Sequence, residues 1–180
     1  CWLALSLWEL LGLDTFWCSR LPVSRKGARW LNVLKALTVY RLLDPGSEFR
    51  FHREWYAGTA LGDLLGEDFS LAQKDKPYRC LDLVSEHRDD LFTYLSRRGR
   101  GGELFGAQFD VLLYDLTSTS FESDPPAPGT QSKRRYGYSR DHRSDCTQVV
   151  IALVVTPEGL PVGYEVYAGN THEASTLESF

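Results

Sequence analysis

The sequence predicts an α+β protein, with any α/β character confined to its second half, and three observations predict it. Apolar residues Trp30, Val33, Leu34, Leu37 and Tyr40 recur at the spacing of one face of an amphipathic helix. Later, FDVLLYD (109–115), TQVVIALVVT (147–156) and PVGYEVYAG (161–169) are short apolar or β-branched runs of strand length. Between the two textures lies RRGRGG (97–102), a basic, glycine-rich break. It divides the chain into a helical region, 1–102, and a sheet region, 103–180.

The elements follow in order. On the first clear helix, Asn32, Lys35 and Ala36 fall off the apolar stripe and are expected to face outward. Asp44-Pro45-Gly46 stops that helix, and Ser47 is suited to cap the next. LGDLLGEDFSL (61–71) and LDLVSEHRDDLFTYLSRR (81–98) each predict a further helix. FDVLLYD has the unbroken apolar character of a central strand buried on both faces, with Asp115 at its end. TQVVIALVVT and PVGYEVYAG form a hairpin through the PEGL turn (157–160). Residues 116–146 make a long polar excursion that carries DPPAPGTQ and a basic segment. Thr171 is placed to cap a last helix, with Glu173 in its first turn.

A hydrophobic content of 43% and aromatic content of 13% supply a packed core and argue against disorder throughout. No apolar run reaches the roughly 20 residues of a membrane span. The apolar start CWLALSLWELLGLDTFW is short, interrupted by Glu9 and Asp14, and lacks the basic flank of a signal peptide. Cys1, Cys18, Cys80 and Cys146 are scattered, which fits free thiols in a reducing cytoplasm better than a disulfide framework or a zinc site. The chain starts on Cys, contains no Met and stops in THEASTLESF, which reads as a helix opening, so the expectation is a piece of a longer reading frame.

The net charge of −4 hides local basic patches. Between Ser19 and Trp55, eight Lys and Arg face three acids, a local charge of about +5, and 133–143 holds five bases and one acid, about +4. Such patches suit phosphate, or are ordinary solvated faces. In KRRYGYSRDHRSD (133–145), the bases would position phosphates while the tyrosine rings stack on exposed bases. Alternatively, Asp141 and Asp145 neutralise Arg140 and Arg143 within the loop. His142 and His172 are isolated and are not assigned to a metal, and Cys146 reads as a small core residue.

Asp115 is the chemically suggestive residue. A carboxylate at a strand end, followed by Thr117-Ser118-Thr119-Ser120, suits a divalent metal such as Mg²⁺, which takes one or two carboxylates and keeps water. It equally suits a turn cap that accepts amide hydrogen bonds from Thr117 or Ser118. A phosphate loop of the Asp-x-Gly-Thr type is disfavoured because Thr117 stands where the glycine belongs. A glycosidase pair of Asp115 and Glu122 has no spacing to support it.

Taken together, LDTFW, SRKGARWLNVLKALTVYRLLDPGSEFRFHREW, FDVLLYDLTSTSFE, RRYGYSRDHRSDCTQVVIALVVTPEGLPVGYEVYAGNT and TLESF resemble the DDE-type transposases of bacterial insertion sequences, of the IS-four superfamily. The resemblance implies a ribonuclease H-like mixed sheet in which three acids hold two Mg²⁺ ions. It matches Asp115 to the first acid, both catalytic and metal-binding, and places the other two after Phe180. Within the family's Gly-Asn-Thr-x-Asp stretch this chain has Gly169, Asn170, Thr171, His172 and Glu173, the last replacing an aspartate that is not a metal ligand. The implied function is cutting and joining of DNA at element ends, in the bacterial cytoplasm at the nucleoid, with DNA as partner and dimerisation with itself or an intact transposase. Charge nominates Arg25, Lys26 and Arg29 for element ends, and Lys133, Arg134, Arg135, Arg140 and Arg143 for DNA near Asp115. The chain by itself is expected to be inert. The alternative is a non-catalytic fragment that binds element ends or an intact transposase as an inhibitor, or a decayed remnant.

Overall fold

The computed structural model describes residues 1–22, 29–73, 75–100, 112–138, 143–172 and 176. Its helices are α1 (Trp2–Leu10), α2 (Leu13–Trp17), α3 (Trp30–Leu43), α4 (Glu48–Arg50), α5 (Leu61–Leu65), α6 (Lys76–Ser85) and α7 (Arg88–Arg100), followed by strands β1 (Leu113–Phe121), β2 (Thr147–Val155) and β3 (Pro161–Ala168). The architecture is therefore α+β. Two compact units are present, Cys1–Tyr94 and Leu95–Phe180, and the division falls inside α7.

In the first unit α3 is the central element, in contact with α1 and α6. Val33, Leu34, Leu37 and Tyr40 of the expected stripe are buried. Ala36, expected to face outward, is fully buried, and so is Val39, because α3 is packed on more than one side. Lys35 also turns inward: its Nζ lies 2.8 Å from Asp14 Oδ1, which accepts from Trp8 Nε1 at 3.0 Å. One carboxylate thus ties α1, α2 and α3 together. Asn32 Nδ2 donates to Glu67 Oε1 at 2.7 Å.

As expected, α3 stops at Asp44, and Ser47 Oγ accepts from the Arg50 amide at 3.2 Å to cap α4. Arg50 closes the corner with two bonds to Asp44, at 2.9 and 2.7 Å. The chain continues as a π-helical turn, Phe51–Trp55. That turn delivers Phe51 and Trp55 to Tyr40, with ring centroids 5.3 and 4.9 Å away. Cys80 is buried under Trp30, and burial pushes its thiol up to about 12.

Three further sequence expectations for this half need correction. Residues 61–71 are not one helix: Gly66 takes a left-handed conformation (φ +63°) that ends α5, and a 3₁₀ turn, Phe69–Ala72, follows. Residues 81–98 are two helices, broken at Glu86-His87 without glycine or proline. Arg97–Arg100 are helical rather than a break: a single glycine such as Gly99 costs a helix about 1 kcal/mol and does not by itself end it.

In the second unit β1, β2 and β3 form an antiparallel meander in that order. The hairpin from β2 to β3 closes as expected: Gly159 has φ +88°, and Thr156 Oγ1 accepts from Leu160 N at 3.2 Å. β2 is the central strand and its side chains are buried along most of its length. Leu116, Val150 and Ala152 form the core, with Tyr114 and Tyr167 packed against them.

β1 departs from its expectation in three ways. It runs on through Thr117–Phe121, so Asp115 is its third residue and not its end. It is an edge strand among the described residues, and Leu113, Asp115, Thr117 and Thr119 are exposed, so it is not buried on both faces. Its pairing is antiparallel; the parallel component of a mixed sheet is not among the described strands. The hydroxyl run is β-competent because Thr is β-branched and each residue pairs with β2, from Thr117↔Ile151 to Ser120↔Gln148. The expected helix after Thr171 lies largely outside the described residues.

Candidate functional site

Asp115 stands opposite Leu153 on the sheet face that also carries Leu113, Thr117 and Thr119. Its carboxylate is exposed, so the burial cost that the apolar strand suggested does not arise. Thr117 and Ser118 are strand residues paired with β2, which removes the turn-cap role. Among the described residues no hydrogen bond or ion pair engages Asp115. Nor do the described residues assemble three His, Cys, Asp or Glu side chains that would hold a metal ion. One exposed carboxylate is an incomplete donor set for Mg²⁺. Glu122, weighed as its partner, is instead bridged to Arg143 at 2.8 Å.

The basic segment is pinned to the sheet. Arg135 and Gln148 exchange backbone hydrogen bonds at 3.0 and 2.8 Å, and the Gly169 amide donates to the Lys133 carbonyl at 3.0 Å. Gln148, 1% exposed, donates from Nε2 to the carbonyls of Tyr138 and Gly169, both at 2.8 Å. The seam requires glycine. A Cβ on Gly137 would overlap the Gly169 carbonyl, and one on Gly169 would overlap the Gln148 carbonyl and lie 2.5 Å from that of Arg135.

The basic side chains on this segment have different partners. Lys133 Nζ reaches Val166 O at 2.6 Å and Glu165 Oε1 at 3.4 Å. Arg134 Nη2 donates to Ser123 Oγ at 2.8 Å and Asp124 O at 2.6 Å, its guanidinium 5.0 Å from the Phe121 ring centre. Arg135 donates to the carbonyls of Arg134 and Thr130. Among the described residues, Arg134 and Arg135 thus meet neutral oxygens and keep their charge. Arg143 is held by two carboxylates, Asp145 at 3.0 and 3.1 Å and Glu122 at 2.8 Å. Hydrogen bonding from Arg143 depresses the Asp145 carboxyl to about 2, and the same pairs raise the Arg143 pKa. In the first unit, Arg29 is exposed and lies 3.3 Å from Glu67 Oε1. Arg25, Lys26 and Arg140 lie outside the described residues.

A cleft of about 540 Å³ opens beside the seam. Leu116 and Val150 give it an apolar floor, Thr117 and Ser118 line it from β1, and Gly137-Tyr138 face Asn170–His172. Tyr138 is 83% exposed. The sequence marks this tyrosine as a candidate for stacking; the cleft has no such local signal, because its lining comes from four stretches spread between residues 116 and 172.

Comparisons with protein-family models, with curated proteins and with solved structures each return no match.

Proposed function

We infer that this chain is part of a DDE-type insertion-sequence transposase and that its own contribution is to bind DNA through the basic segment that bridges to β2 at Gln148. The observation that carries the reading is the placement of Asp115: an exposed, unengaged carboxylate within the first strand of an antiparallel meander. A carboxylate that neither caps a turn nor pairs with a base has no structural task among the described residues. The sequence resemblance assigns it one, as the first acid of a ribonuclease H-like core, where it would be one of several ligands to Mg²⁺. No catalytic step is assigned, because among the described residues no three His, Cys, Asp or Glu side chains gather into such a site.

Arg134 and Arg135, charged and bound to neutral oxygens, support the DNA-binding part, because phosphate can be added to them without breaking an ion pair. Arg143 supports it less, since two carboxylates already take its charge. The nucleoid of a bacterial cytoplasm is the corresponding location. Among the described residues no helix is long and apolar enough to cross a membrane.

The test is a gel shift with duplex DNA. The chain retards the duplex, Arg135→Glu weakens retardation, and Mg²⁺ produces no cleavage. Absence of any retardation contradicts the DNA-binding reading, and Mg²⁺-dependent cutting that is lost in Asp115→Ala contradicts the expectation that the chain by itself is inert.

A further inference from the structure

The cleft between Tyr138 and Asn170–His172 has features of a preformed site rather than a surface crease. Its volume, about 540 Å³, lies in the range of small-molecule pockets. Both rims are fixed by one buried side chain, since Gln148 Nε2 holds the Tyr138 and Gly169 carbonyls at 2.8 Å each. Glycines at 137 and 169 let the two backbones approach that closely. Building this arrangement leaves the Tyr138 ring in solvent, 83% exposed, where it buries nothing for the fold.

The lining defines the ligand. Leu116 and Val150 offer an apolar floor, Tyr138 a ring face, and Ser118, Asn170 and His172 hydrogen-bonding groups. None of these is an acid, a lysine or an arginine, so the occupant is itself uncharged. A planar body with two apolar faces and a polar edge matches: a nucleobase. Aromatic rings hold bases by stacking without regard to sequence, and an amide reads the polar edge. A base inside a duplex hides both faces in the stack, so the base must be unpaired. The charged Arg134 and Arg135 lie on the same segment as Tyr138 and suit the phosphates that flank such a base. Leu116 and Ser118 alternate with Asp115 along β1, whereas Thr117, which also lines the cleft, lies on the Asp115 face.

We propose that this cleft binds one unpaired base of a DNA strand, stacked on Tyr138 and hydrogen-bonded by Asn170. The proposal rests on the DNA-binding reading and extends it from phosphates to a base. The test uses the full chain and two end-labelled duplexes, one with 2-aminopurine in a single-base bulge and one with it paired. Anisotropy reports affinity, and 2-aminopurine fluorescence reports stacking. The bulged duplex should bind about fivefold or more tightly than the paired one, the low end for a stacked base, with fluorescence quenched on binding. Tyr138→Ala should bring the affinity ratio to about one and abolish the quench, by the same scale. Tyr138→Phe, which keeps the ring, should preserve both, and Asn170→Ala should lower the ratio. Free deoxyadenosine should not displace the bulged duplex, because it brings no flanking phosphates; displacement would assign the cleft to free nucleosides instead. Equal binding of both duplexes by the wild-type chain, or a ratio unmoved by Tyr138→Ala, overturns the base site and leaves the DNA-binding reading standing. Binding to neither duplex overturns both.

Discussion

Gly169→Ala is the substitution that the sheet unit should tolerate least for its size. Only one methyl group is added, but its position collides with the Gln148 carbonyl and lies 2.5 Å from the Arg135 carbonyl. Both obstacles are backbone, so the strands must move apart. Overpacking of this kind costs about 1–3 kcal/mol. The movement also strains three hydrogen bonds that meet here: Gly169 N to Lys133 O, and Gln148 Nε2 to Gly169 O and Tyr138 O. Losing one of them adds about 1 kcal/mol. The expected total is about 2–4 kcal/mol, at the severe end for a single substitution. Urea unfolding followed by circular dichroism measures it, and hydrogen exchange locates it: amides of 133–138 and of Gln148 and Gly169 should lose protection first. Gly129→Ala supplies the comparison, since that glycine has a left-handed backbone (φ +84°) but nothing within 4 Å of a Cβ. A change below about 0.5 kcal/mol at Gly169, the size of an ordinary surface substitution, would refute the seam.

Two further outcomes follow from the site geometry. Asp115→Asn should leave the unfolding midpoint unchanged, because the carboxylate is exposed and unengaged among the described residues; a clear loss of stability would show a structural role instead. The Arg143 clamp should be acid-labile. The Asp145 carboxyl is depressed to about 2, chiefly by its hydrogen bond from Arg143, so its contribution is complete above the ordinary carboxylate pKa of about 4 and fades as pH falls toward 2. Protection from hydrogen exchange at 143–146, taken relative to the intrinsic rate at each pH, should fall across that window in the wild type and be already low in Asp145→Asn. A flat profile in the wild type would contradict the pairing.

Local patterns were the legible part of this chain. The α3 stripe, the Ser47 cap and the β2–β3 hairpin each rest on residues close in sequence, and each formed as the pattern predicts. What escaped were features that depend on distant neighbours. Ala36 is buried because α3 packs on more than one side, which a single stripe does not reveal. Thr-Ser-Thr-Ser reads as a turn in isolation and as a strand once β2 supplies Ile151 to Gln148 opposite it. The candidate site divides in the same way. Asp115 and the basic segment are visible as residue types, whereas the partners of Arg134, Arg135 and Arg143 are not. The Gln148–Gly169 seam has no local signature, since its members lie 21 residues apart.

The salt dependence of duplex binding reports whether the basic segment contacts phosphates. If Arg134 and Arg135, which meet only neutral oxygens among the described residues, contact phosphates, log Kd should rise linearly with log salt, with a slope of about 1.8 for two contacts on B-DNA. Between about 50 and 200 mM salt the affinity should then fall about 12-fold. Arg135→Glu should lower the slope by about one. Binding that does not respond to salt, or no binding at the lowest salt, would contradict the account.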